Sequence, residues 1–228
     1  MPLLPGSPPV EIVLRRSPRA RRMSLRVSGL DGRVTLSLPK GASERAAMDF
    51  AREKEDWIRA ALARAPVPAL VGIGTILPVE GRGLELRPAA RGAVRAEGGG
   101  LLVPGDPARA GLRVAAFLRH LARDRLAVAC DRHAAVLGRG YARLSLRDTR
   151  SRWGSCSSAG VLMFNWRLAM APPEVLDYVA AHEVAHLAEM NHSPAFWAVV
   201  GRLLPGHAAP RDWLRRNGAG LHGWRFGD

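Results

Sequence analysis

Residues 182–192 read His-Glu-Val-Ala-His-Leu-Ala-Glu-Met-Asn-His, and no other stretch constrains the chain as tightly. Side chains four apart on a helix share a face, so a helix here turns His182 and His186 towards one point. At 3.6 residues per turn, Glu183 lies about 100° round from His182 and about 60° from His186. Val175 and Val179 continue the histidine stripe, so that face points inward. Imidazoles and a carboxylate buried together are costly unless they bind something. One divalent cation satisfies both imidazoles and leaves Glu183 beside it, placed as a general base for activated water. A catalytic zinc site takes three protein ligands and keeps a position open, and His192, just past the helix end, is the candidate third ligand. By composition, roughly 0.01 chance matches to this motif are expected in such a chain.

The 228 residues suffice for one moderate domain or two small ones, and 47% hydrophobic with 24% charged residues supports a packed core. No apolar run reaches the roughly 18–20 residues of a membrane helix. The opening MPLLPGSPPV lacks the basic start and apolar stretch of a signal peptide. Two cysteines, Cys130 and Cys156, exclude a disulfide framework and a cysteine zinc site, and fit a reducing cytoplasm. The net charge of +14 invites a nucleic-acid partner. Yet the chain holds only two lysines, Lys40 and Lys54, and its excess of Arg, Ala, Gly and Pro is also what GC-rich codons produce. The run Arg15, Arg16, Arg19, Arg21 and Arg22 reads either as a polyanion site or as a solvated hairpin tip.

The pattern along the chain predicts an α+β fold. Residues 1–9 read as a loose tail, 10–105 as a β-rich region with one helix, and 106–228 as the metal-binding region; 10–217 can equally be one integrated domain. Strands are expected in 10–39, with a turn at Gly29, Asp31 and Gly32. Ser43 caps a helix running to Arg64, with Phe50, Trp57 and Ile58 among its apolar positions and Pro66 and Pro68 ending it. Residues 98–100 (GGG) are the linker candidate. Asp106-Pro107 opens a helix to about Leu137, stopped by Gly138. A hairpin is expected from 143–154 and 160–168. Pro172-Pro173 opens the histidine helix, running to about Met190 and closed by Asn191 in the left-handed conformation. Ser193-Pro194 opens a further helix, ended by Pro205-Gly206.

His192 has the metzincin spacing, but Glu189 stands where that motif has Gly, and no methionine follows Met190 to make a Met-turn. Three blocks occur in order: Arg152 to Cys156 (RWGSC), Asp177 to His186 (DYVAAHEVAH) and Asn191 to Trp197 (NHSPAFW). Together with the N-terminal strand, turn and Trp57 helix, they resemble the YgjP-like family of zinc-dependent metallopeptidase-like proteins, relatives of the SprT-like and WLM-type proteases, over about residues 10–217. The segment LLPGHAAP at 203–210 departs from the family pattern. The resemblance implies a zincin-like fold, one Zn2+ (or another divalent metal) on His182, His186 and His192, and Glu183 as general base.

Arg152, Trp153 and Asn165 are candidate substrate-binding residues on a strand that can edge the cleft and pair with an extended peptide. The alternative for Trp153 is core packing and for Arg152 a structural ion pair. Asn165 either bonds near the site or ends its strand. Cys156 reads as a small buried thiol. Tyr178, one turn before His182, either orients that ligand or packs in the core. The residues support a metal-dependent hydrolase acting on a peptide. A nucleoside triphosphate (pyro)phosphohydrolase at the same site is the alternative. A nucleic-acid-binding protein with a structural zinc is the third reading, and a three-histidine site with an adjacent Glu argues against it.

Overall fold

The computed structural model describes residues 2–28, 32–63 and 69–227. The chain divides into two units, Met1–Pro68 and Ala69–Asp228, each with its own hydrophobic core. The division lies well before residue 106, where the change in sequence pattern placed it.

In the first unit, β1 (Leu3–Leu4), β2 (Val10–Arg16), β3 (Ser24–Val27) and β4 (Val34–Leu38) form one sheet in the order β1-β2-β4-β3. β2 runs parallel to β4, and β3 antiparallel to it. Period-two alternation sends Ile12, Val34, Leu36 and Leu38 to one face, where they pack with Ala47, Met48, Ala51 and Ile58. Those last four come from α1 (Glu44–Glu53) and α2 (Glu55–Ala63). Ser43 caps α1, its hydroxyl accepting from the Ala46 N–H at 3.1 Å. Three expectations change here. The N-terminal residues are no loose tail, because Leu4 is fully buried and β1 pairs with β2. The single helix breaks at Lys54. Trp57 is exposed rather than a core position. The expected turn residues Gly29 and Asp31, and the stop signals Pro66 and Pro68, lie outside the described residues.

The second unit opens with β5 (Ala69–Leu70) and a four-stranded sheet in the order β6-β7-β9-β8, from β6 (Ile76–Val79), β7 (Arg82–Ala89), β8 (Arg95–Glu97) and β9 (Gly100–Pro104). The glycine run is no linker: Gly98 and Gly99 take the left-handed conformation in the tight turn of the β8–β9 hairpin. Asp106 caps a short turn that leads into α3 (Ala110–Leu137), which Gly138 closes at φ 73°. Then come β10 (Arg143–Arg147), β11 (Gly154–Cys156) and β12 (Val161–Asn165). The hairpin is formed by β11 and β12 only; β10 pairs parallel on the other side of β12. Next are α4 (Pro173–Ala185), α5 (Pro194–Leu203), α6 (Ala208–Leu221) and β13 (Trp224–Arg225), which pairs with β5. α3 lies against α4, and Leu118, Leu126, Phe164, Val179, Val184 and Phe196 are part of one core. Among the described residues, no helix is long and apolar enough to cross a membrane.

Candidate metal centre

α4 starts where Pro173 supplies a preset φ at the first helical position. It buries Val175, Val179 and Val184, and this packing fixes the rotation that aims His182 and His186 at one point. Their rings lie 5.0 Å apart. The helix stops at Ala185, earlier than the pattern predicts, with His186 as its cap residue. The chain then tightens: Leu187 and Ala188 bond back three residues, and Glu189 to Ala185. That early stop brings the Glu189 carbonyl to His186 Nδ1, 2.9 Å away. A carbonyl only accepts, so Nδ1 carries the proton and Nε2 keeps its lone pair for a ligand.

Asn191 is not left-handed. Its Oδ1 accepts from the Ser193 N–H at 3.1 Å, and the Ser193 hydroxyl caps α5. This pair of local bonds turns the chain back and delivers His192 to the other two histidines. One ligand nitrogen from each of His182, His186 and His192 lies within 4.8 Å of the others. The Nε2 atoms of His182 and His192 stand 3.0 Å apart. Tetrahedral ligands on zinc at about 2.0–2.1 Å stand about 3.3 Å from each other, so the donor set fits one such ion. Phe196 braces all three rings, stacked on His186 at 4.5 Å and edge-on to His182 at 4.9 Å and His192 at 4.8 Å.

Burial, with the nearby His186, His192 and Arg211, pushes His182 down to about 3. Burial also lowers His186, outweighing its bond to Glu189. His182 is therefore neutral at physiological pH, the form in which an imidazole can bind a metal. Glu183 is buried, and burial pushes its carboxyl up to about 8 against the pull of Arg152.

The three histidines and Glu183 line a cleft of about 470 Å³, with Arg152, Cys156 and Met190 on its walls. Gly154, on the edge strand β11, forms the wall against Glu183. A Cβ there would stand 2.4 Å from Glu183 Oε1 and 2.6 Å from its Cγ. No side chain fits without moving the carboxylate.

Of the other sequence candidates, the structure brings only Arg152 to the cleft, with an exposed side chain. Arg152 and Trp153 lie just before β11 rather than on a strand, and Trp153 points away from the cleft, packing against Gly218 and 4.8 Å from the ring of His222. Asn165 is fully buried and structural: its amide donates to the Thr149 carbonyl at 2.7 Å, and its Oδ1 accepts from the Arg167 N–H at 2.9 Å. Tyr178 meets His182 edge-on at 6.0 Å. His182 Nδ1 is buried without a hydrogen-bond partner among the described residues, so Tyr178 meets this side chain by packing alone. Gly154 and Phe196 are the two site residues that spacing alone misses. Both lie inside the sequence blocks singled out above, which was the available signal.

No curated protein matches the chain. Among solved structures, the metallopeptidase zymogen of Pyrococcus abyssi abylysin matches with 22% identity and a TM-score of 0.36, over 41% of this chain and 92% of that one. The family described as YgjP-like, metallopeptidase domain, matches residues 21–217, most of the sequence, and this chain belongs to that family.

Proposed function

We propose that the protein is a zinc-dependent hydrolase of zincin-like fold that cleaves peptide bonds, with Glu183 as its general base. Family membership supports a zinc-dependent hydrolase in general. The observation that carries the finer reading is the convergence of three histidine nitrogens beside a buried carboxylate in one open cleft. His182, His186 and His192 hold the ion. Once bound, zinc supplies Lewis acidity, polarising a carbonyl and lowering the pKa of water. Glu183 takes the proton from the attacking water onto its carboxylate and passes it to the leaving amine. Burial suits it to this shuttle by holding its affinity for protons near the working pH. Gly154 keeps the space in which that carboxylate sits.

One observation favours a second substrate class. The Arg152 guanidinium lies on the cleft wall, exposed, and makes no side-chain hydrogen bond or ion pair among the described residues. A guanidinium fork matches phosphate oxygens, so a nucleoside triphosphate is the alternative substrate at the same centre.

Glu183→Gln keeps the shape of the side chain and removes its basicity. The variant is expected to bind zinc as the wild type does and to lose at least about a hundredfold in turnover. Zinc-loaded wild type and variant are compared on a peptide library and, in parallel, for phosphate or pyrophosphate release from nucleoside triphosphates. Glu183-dependent peptide cleavage supports the first reading, and Glu183-dependent phosphate release replaces it with the second. Full activity of the variant would defeat both.

A further inference from the structure

Residues 12–30 contain six arginines (Arg15, Arg16, Arg19, Arg21, Arg22 and Arg26) and no acidic residue. Elsewhere many arginines of this chain are matched: Arg52, Arg59, Arg87, Arg95, Arg125, Arg132 and Arg167 each pair with an Asp or Glu. Of these six arginines, Arg16 alone has side-chain hydrogen bonds among the described residues, to the carbonyls of Lys40 at 3.0 Å and Ala42 at 2.6 Å. Arg15, Arg19, Arg21, Arg22 and Arg26 are exposed and make no side-chain hydrogen bond or ion pair among the described residues.

The register explains why these charges gather. β2, β4 and β3 send Ile12, Leu14, Val34, Leu36, Leu25 and Val27 to the helix-covered face. The opposite face therefore carries Arg15, Ser37 and Ser24 in one cross-strand row, Val13, Thr35 and Arg26 in the next, and the acidic Glu11 only beyond these, beside Leu3 at the far end of β2. Strands stand about 4.8 Å apart, so Arg15 and Arg26 frame a strip about 10 Å wide, floored by three hydroxyls. Arg19, Arg21 and Arg22 lie on the segment joining β2 to β3, at the end of this strip where β2 finishes. Five unneutralised guanidinium groups with serine and threonine hydroxyls between them form a phosphate-recognition surface. The face holds no aromatic ring for base stacking, which points to backbone contact rather than sequence readout.

We propose that this open sheet face of the first unit, with the arginine segment joining β2 to β3, binds the sugar-phosphate backbone of a nucleic acid. The surface belongs to the first unit and the metal centre to the second, and the proposal stands whether the substrate is a peptide or a phosphate anhydride. Binding is independent of base sequence and set by phosphate neutralisation. Five contacts to a duplex give a slope of about −4.5 in log K against log salt, or about 500-fold weaker binding at 200 mM than at 50 mM salt.

The test is fluorescence anisotropy of the full-length protein with a labelled 20-base-pair DNA duplex, and with an RNA duplex of the same sequence, over that salt range. The variant R15Q/R22Q/R26Q removes three unpaired charges. The control R52Q/R87Q/R95Q removes three charges that are already paired with acids, so the two variants have the same net charge. The expected result is a loss of tenfold or more at 50 mM salt for the first variant, its slope falling to about −1.8, and a loss under about twofold for the control. The altered residues are exposed and unpaired, so the thermal midpoint stays at the wild-type value and confirms that the loss is not unfolding. DNA and RNA arms that respond alike identify the phosphate backbone as the ligand. Equal losses in the two variants would reduce the effect to net charge and overturn the proposal. So would absence of duplex binding at 50 mM salt, or tighter binding to phosphatidylserine vesicles than to either duplex.

Discussion

Gly154 shows how much one missing methyl group governs here. Its backbone lies so close to Glu183 that a Cβ would overlap Oε1, Cγ and Cδ. Gly154→Ala is therefore expected to displace the carboxylate and cut turnover by about tenfold to a hundredfold while zinc affinity holds, because the atoms nearest the new methyl all belong to Glu183. Metal content and kcat measured on the same preparation check this. The histidine cluster was legible in the spacing of His182, His186 and His192, because helical periodicity is a local property of sequence. The partner surfaces were not. For Trp153 and Asn165 the sequence left a cleft role and a structural role open, and long-range packing settles both as structural, while it is also what sets Gly154 against Glu183. A residue outside the centre contributes to acid stability. Burial, helped by Arg167, lowers His222 to about 4, so from about pH 6.5 down to about 4 the unfolded chain binds a proton that the folded chain refuses. Stability therefore falls as pH drops through that window. Urea unfolding of the wild type and His222→Gln at pH 7 and pH 5 is expected to show a smaller acid loss in the variant.

Helix boundaries that depend on local chemistry were readable: Ser43, Asp106, Pro173 and Ser193 all act where their residue types predict. Pairings that join distant segments were not. The β2–β4, β7–β9 and β10–β12 pairs are all parallel, each with an intervening strand on the far side, and no turn signal announces such an arrangement. The end of α4 was misjudged for a related reason. Residues up to Met190 suit a helix, but bonding of His186 to Glu189 and of Asn191 to Ser193 favours the turn that completes the histidine cluster. Elsewhere in the second unit, Arg167 clamps the last elements together. It forms a two-pronged ion pair with Asp148, donates to the carbonyls of Leu221 and Trp224 at 3.0 Å each, and lies over the rings of Trp166 and Phe226. Arg167→Met keeps the apolar stem and orphans these acceptors. The loss of stability is expected to be about 2–4 kcal/mol, moderated by the partial exposure of Asp148, and chemical denaturation measures it.

At the scale of the molecule, the shift from strand-like to helical sequence at residue 106 suggested a boundary that packing does not respect. Leu77, Leu86 and Leu101 of the β6–β9 sheet share a core with Val114 and Leu118 of α3, so sheet and helix belong to one unit, and the division falls at Pro68 instead. The family match begins within the first unit and ends in α6, so the family region includes both units. All three histidines, Glu183 and Gly154 come from the second. Everything proposed for the centre requires that the histidine after the turn completes the set begun on α4. Calorimetric titration of metal-free protein with zinc tests this most directly, with wild type beside His192→Ala. The account predicts one zinc ion per wild-type chain and an affinity at least about a hundredfold weaker in the variant. A variant that binds zinc as tightly as the wild type, at the same stoichiometry, would contradict it.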